Sequence, residues 1–206
     1  MSMHRLVKAL VAGAALAAWT AIGPATAQPA PHHVRGTIES VQDHAMMVKT
    51  AGGATDTVKL DDKSKVFTVS TADISAVKDG KFVGITSVEK GGKRVAVEVH
   101  VFDDSLRGLG EGHYPWDLGS EPNMMTNANI AQVESMGADR MLKLDYKGGT
   151  QNISVPPDAK VVEFTATTPD QLKPGAKVFV IAVTQPDGST VAPAIVVGKD
   201  GLKPPM

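Results

Sequence analysis

The chain contains no cysteine, which excludes disulfides, thiolate metal sites and cysteine nucleophiles. Its fold must therefore rest on a hydrophobic core alone. Aromatic residues make up only 4% of the sequence, so the strand-like segments lack the stacking platforms that single-stranded nucleic acids need. Basic clusters are missing as well. With 21 Lys and Arg against 22 Asp and Glu, nothing in the charge balance favours nucleic acid or an anionic membrane surface. No Gly-x-Ser-x-Gly elbow, His-Glu-x-x-His pair or phosphate-binding loop occurs, which removes the motif grounds for the enzyme classes that use them.

What is present begins at the N-terminus. Arg5 and Lys8 precede the apolar run Ala9 to Trp19, which ends near Gly23-Pro24, and Ala25-Thr26-Ala27 follows as a small-x-small site. These are the parts of a secretory signal peptide over residues 1–27, cleaved near Ala27. The run is too short for a membrane anchor, which needs about 20 apolar residues. The mature chain is expected to begin at Gln28, to carry a net charge of −3, and to be soluble in the periplasm or secreted, without stable membrane insertion.

Alternation with period two dominates the rest. Val34-Arg-Gly-Thr-Ile-Glu-Ser-Val41 reads as a half-buried strand, and Ala45–Thr50 and Thr55–Leu60 form a hairpin across Gly52-Gly53. Lys65–Val69 continues the pattern. Ser70 to Gly80 then reads as a helical turn or two, and Lys81–Val88 and Arg94–Phe102 as a hairpin across Gly91-Gly92. The same order recurs after residue 127. Gly36–Val41 answers to Ala128–Val133, Met47-Val-Lys49 to Met141-Leu-Lys143, Val58-Lys-Leu60 to Ile153-Ser-Val155, and Ala76–Gly80 to Gln171–Gly175, at spacings that drift from 92 to 96 residues. Such a repeat indicates duplication.

The expected fold is all-β: two tandem, small, OB-like Greek-key barrels, each with a short helical turn. The barrels span residues 34–102 and 128–198, with flexible tails at 28–33 and 199–206 and an aromatic, Pro/Gly-rich linker at 103–127. On Gly36-Thr-Ile-Glu-Ser-Val41 and Leu172-Lys-Pro-Gly-Ala-Lys-Val178, the chain resembles exported bacterial OB-like domains of unknown function, which often occur in tandem. Relatives of such chains sometimes carry a metal-transporter permease label. The lack of membrane-spanning runs argues against that activity here.

Candidate functional residues fall into two groups. His44, Met46, Met124 and Met125 are soft and imidazole donors of the kind that bind copper in a cysteine-free exported protein. Methionine equally fills irregular cores, and the repeat sets Met141 opposite Met47 as packing residues. In the linker, His113, Tyr114, Trp116 and Asp117 are candidates for contacting a ligand or partner; the alternative is that the aromatics plug a groove between the barrels. Asp103, Asp104 and Glu111 lack the spacing of a calcium loop. The expectation is thus a non-enzymatic binding or scaffolding protein of the bacterial envelope, acting on an envelope protein or small ligand and not on nucleic acid, with no obligate cofactor. A copper-handling protein is the second reading. A hydrolase using His113 and Asp117 is the third.

Overall fold

The computed structural model describes residues 30–206, so the expected signal peptide lies outside the described residues. The described chain is mostly β. In order the strands are β1 (His32–Gln42), β2 (Ala45–Thr50), β3 (Thr55–Lys59), β4 (Lys65–Thr71), β5 (Phe82–Lys90), β6 (Lys93–Phe102) and β7 (Gly112–Trp116). They continue with β8 (Asn123–Met136), β9 (Asp139–Tyr146), β10 (Gly149–Val155), β11 (Lys160–Thr167), β12 (Lys177–Thr184) and β13 (Thr190–Gly198). The expected helical elements are single 3₁₀ turns, Ile74–Ala76 and Pro169–Gln171. Asp73 caps the first by accepting from the Ser75 amide, and Gly80 and Gly175 close both with positive φ. No described helix is long and apolar enough to cross a membrane.

Neighbouring strands pair within each sequence unit, but the rings close across the two units. β1, β2 and β3 of the first unit form a five-strand ring with β12 and β13 of the second, through β1–β12 and a β13–β3 bridge at Val191 and Lys59. Reciprocally, β8, β9 and β10 are joined by β5 and β6, with β8 against β5 and β10 against β6. Each ring thus takes its last two strands from the other sequence unit. The β12–β13 hairpin meets β1 in the register in which β5–β6 meets β8, with Gly36 opposite Val178 and Ala128 opposite Val83. This closure also adds pairing: β4 and β11 run antiparallel to each other and parallel to β13 and β6, giving a central sheet β6-β11-β4-β13 that bridges the rings.

Three cores result. Ile38, Met46, Val48, Val58 and Ile195 fill the first ring, and Ile85, Ile130, Leu142, Leu144 and Ile153 the second. Each such residue, fully buried, contributes about 1.5–3 kcal/mol. A third core, with Phe67, Val69, Phe82, Phe102, Phe164 and Phe179, lies on the central sheet. It belongs to neither repeat alone.

Strand register refines the duplication. Both β1 and β8 carry a bulge at the same place, Ile38/Ser40 and Ile130/Gln132. Met46 faces Val41 and Leu142 faces Val133, so Leu142, not Met141, is the counterpart of Met46. The hairpin β8–β9 continues for the pairs Ser135–Arg140 and Met136–Asp139 before it turns, and that added length offsets β9 from β2 in the sequence repeat. Met47 is consequently 40% exposed and is not a packing residue.

The segments expected to be flexible are packed. His32 and His33 lie in β1 opposite Ala182 and Ile181. At the other end, the Met206 side chain is buried in the third core and Arg35 donates to the Met206 carbonyl at 2.8 Å. The expected linker 103–127 contains a 3₁₀ turn, β7 and the start of β8. Pro115 is accommodated in β7 because that strand is an edge, paired with β8 only.

Candidate functional site

A cleft of about 380 Å³ opens on the third core, toward the lower end of the size range of small-molecule pockets. Six of the chain's nine Phe, Tyr and Trp residues line it: Phe67, Phe102, Tyr114, Trp116, Phe164 and Phe179. The central sheet supplies the floor, since Phe102 on β6 lies in register with Phe164 on β11, and Phe67 on β4 with Val196 on β13. Ring centroids are 4.9 Å apart for Phe102–Phe164 and 5.1 Å for Phe67–Phe164, within the range where tilted rings attract. Tyr114 and Trp116 form a wall from β7, with Trp116 5.9 Å from Phe179 and 6.1 Å from Tyr114.

The wall is fixed by polar contacts. Asn127 Nδ2 donates to the Leu109 and Gly110 carbonyls and to Tyr114 Oη at 3.1–3.2 Å, while burial raises the Tyr114 pKa. His33 stacks on Trp116 at 4.4 Å. Asp117 accepts from His33 Nδ1 at 2.7 Å and from Arg35 Nη2 at 2.6 Å. Desolvation of Asp117 is opposed and outweighed by the Arg35 and His33 hydrogen bonds, which hold its carboxyl down to about 2. Arg35 also lies 5.0 Å over the Phe179 ring.

A buried polar row that sequence reasoning missed adjoins the floor, and two of its members, His100 and Asn127, line the cleft. Thr86 Oγ1 donates to Glu98 Oε1 at 2.6 Å, and His100 Nε2 lies 3.4 Å from the same oxygen. Glu98 and His100 are 1% and 3% exposed. Among the described residues, Glu98 Oε2, His100 Nε2, Asn127 Oδ1 and Trp116 Nε1 have no hydrogen-bond partner although buried; such groups carry a cost of about 1–3 kcal/mol each. Gly84 makes the row possible. A Cβ there would meet Asn127 Oδ1 at 2.6 Å and Phe102 Cε2 at 3.0 Å.

The other copy shows what the fold alone requires. β5–β6 register sets Gly84 opposite His100 and Thr86 opposite Glu98; the matching pairs in β12–β13 are Phe179 with Val196 and Ile181 with Ala194. Four apolar residues thus stand where the first copy has glycine and three polar groups. The polar row is a departure from a viable apolar solution.

The sequence-predicted residues are only partly brought together. Tyr114, Trp116 and Met125 line the cleft. His113 lies elsewhere, hydrogen-bonded to Thr126 Oγ1 at 2.8 Å and stacked on Tyr146, its pKa lowered by burial and then by the charge of Arg94. It makes no ion pair with Asp117. His44 is a hairpin-turn residue with φ 61°, a conformation for which histidine is enriched; Met46 is wholly buried in the first ring, whereas Met124 and Met125 lie on β8. Asp103 caps a turn through Ser105, Asp104 pairs with Lys81, and Glu111 accepts from the Lys147 amide. Among the described residues no three His, Asp or Glu side chains gather as a metal site.

Compared with known proteins, the chain matches no family model, no curated protein and no solved structure.

Proposed function

We propose that this chain is a non-enzymatic binding protein, exported to the bacterial envelope, which holds a small ligand in the aromatic cleft between two OB-type barrels completed by strand exchange. The observation that carries this reading is the concentration of six of nine aromatic residues in one cleft. Aromatic side chains hold large contact area with little entropy to lose, which suits them to ligand contact. The OB assignment is supported by the ring order of three meandering strands closed by a two-strand hairpin.

The polar row supports the same reading, because Gly84, Thr86, Glu98 and His100 stand where Phe179, Ile181, Ala194 and Val196 serve the other half. Buried polar groups that folding does not need are retained at sites. The test is titration with N-phenyl-1-naphthylamine, a neutral dye that brightens in apolar surroundings. One saturable site is expected, abolished by Ala194→Phe, which enlarges a half-buried lining residue and leaves the thermal unfolding intact. Absence of dye binding, or binding unaffected by that substitution, refutes the assignment.

A further inference from the structure

We infer that the ligand of this cleft is a small aromatic acid: a flat, one- or two-ring body bearing a single carboxylate. The inference rests on the cleft-binding reading above and adds the ligand's charge and shape. Lys63 and Lys65 line the cleft, and no Asp or Glu does. Both lysines are exposed, and among the described residues neither ammonium makes an ion pair or hydrogen bond. Of the two acids that precede Lys63, Asp61 has an oxygen that accepts from the Lys63 amide and Ser64 Oγ within its own turn, and Asp62 is exposed and does not line the cleft.

Two ammonium groups at one edge and mostly apolar rings elsewhere, with His100 and Asn127 among them, define an amphiphile. An aromatic body set among Phe67, Phe102, Phe164 and Trp116 makes tilted and offset ring contacts. Its carboxylate, at the rim, meets two ammonium groups in partly screened surroundings. Each such pair contributes modestly, about 0.2–1 kcal/mol, so the carboxylate is expected to improve binding about five- to tenfold over a neutral isostere. A cationic ligand is disfavoured by the same two lysines.

The test displaces bound N-phenyl-1-naphthylamine with 2-naphthoate and, in parallel, with 2-naphthalenemethanol, which has the same ring system without charge. At low salt, naphthoate should displace the dye at about five- to tenfold lower concentration than the alcohol. Lys63→Gln/Lys65→Gln should bring the two curves together, each read relative to the variant's own dye affinity, with thermal unfolding unchanged because neither ammonium makes an ion pair or hydrogen bond among the described residues. Equal displacement by both compounds in the unaltered protein, or a naphthoate preference that survives the double substitution, overturns the inference while leaving the cleft as a binding site. If the dye itself does not bind, the cleft reading fails, and this inference with it.

Discussion

Strand exchange is testable by a cross-link that only the exchanged topology permits. Thr37 on β1 lies opposite Lys177 on β12, and Lys177 Nζ donates to Thr37 Oγ1 at 2.7 Å, so the side chains share a face. Cross-strand neighbours have Cα atoms about 4.5–5.5 Å apart, inside the range a disulfide spans. Thr37→Cys/Lys177→Cys should therefore oxidise within one molecule, closing a loop across a sequence separation of 140 residues. The chain-entropy relation gives about 5 kcal/mol for a loop of that length. Loss of the Lys177–Thr37 hydrogen bond offsets about 1 kcal/mol. The net of about 4 kcal/mol, at a urea slope of about 2 kcal/mol per molar, moves the midpoint up by about 2 M. The chain has no other cysteine, so gel mobility and mass without reductant read the bond directly. If each unit instead closed its own barrel, β12 would pair with β8 and bring Lys177 beside Asn129, the counterpart of Thr37. Asn129→Cys/Lys177→Cys is the control. An intramolecular bond in the control and none in the first pair would refute the exchange.

Gly84→Ala places a Cβ 2.6 Å from Asn127 Oδ1 and 3.3 Å from His100 Nδ1; overpacking of this kind costs about 1–3 kcal/mol, measured by urea unfolding, and Gly91→Ala, where nothing lies within 4 Å but φ is +58°, is the comparison for backbone strain alone. Glu98→Ala leaves Thr86 Oγ1 without its buried hydrogen-bond acceptor and should cost about 1–3 kcal/mol. The triple change Thr86→Ile, Glu98→Ala, His100→Val copies the other half of the molecule and should cost less than Glu98→Ala alone; a larger loss would show that the polar row is structural. For Asp117, the folded pKa of about 2 lies below its ordinary 3.8, so its carboxylate stabilises the fold fully above about pH 4 and loses that contribution as pH falls toward 2. Asp117→Asn should flatten the stability profile between pH 4 and 2, and an unchanged slope in that window would contradict the Arg35 and His33 contacts.

Much of the local structure was legible. The alternation around Ile38, Val58 and Ile130, the glycine hairpins and the duplication all follow from periods of two and from positive-φ positions. The exchange was not, because the two units are similar enough that a strand order written along the chain fits either closure. β7 was missed because Pro115 reads as a breaker, and only edge placement permits it. Tyr114 and Trp116, which the sequence offers either as contacts for a ligand or partner or as a plug between barrels, line the cleft. Glu98 and His100 escaped notice for a specific reason: in Val95-Ala-Val-Glu-Val-His-Val101 they read as the solvent face of a half-buried strand. Alternation sets Val99 and Val101 in the ring core and Glu98 and His100 on the opposite face, where His100 packs against Phe102 and against Phe164 of the other unit. The bulge at Val97, between the pairs Thr86–Glu98 and Ser87–Ala96, brings Ala96 to the ring-core side as well.

The third core also explains why the cleft forms where it does. Each ring closes around its own aliphatic core, with Ile38 and Ile130 in equivalent places, and neither interior carries one of the six cleft aromatics. Exchange creates a central sheet whose cleft face draws on both copies, and the pairing of β4 with β11 is symmetric about Val69 and Phe164. A strictly symmetric sequence would cover that face equally from both sides. Here Phe102 is matched by Gly198, the position against which the Leu202 carbonyl packs closely, and Gly84 is matched by Phe179. Large and small residues have been dealt unequally across the pseudo-dyad, so the two halves cannot fill the space between them. Tyr114 and Trp116 come from the unduplicated segment and wall the remaining gap instead of closing it. The two aliphatic rings, each built from strands of both units, pack without the cleft aromatics. The shared face can therefore carry the aromatic cleft at little cost to either ring.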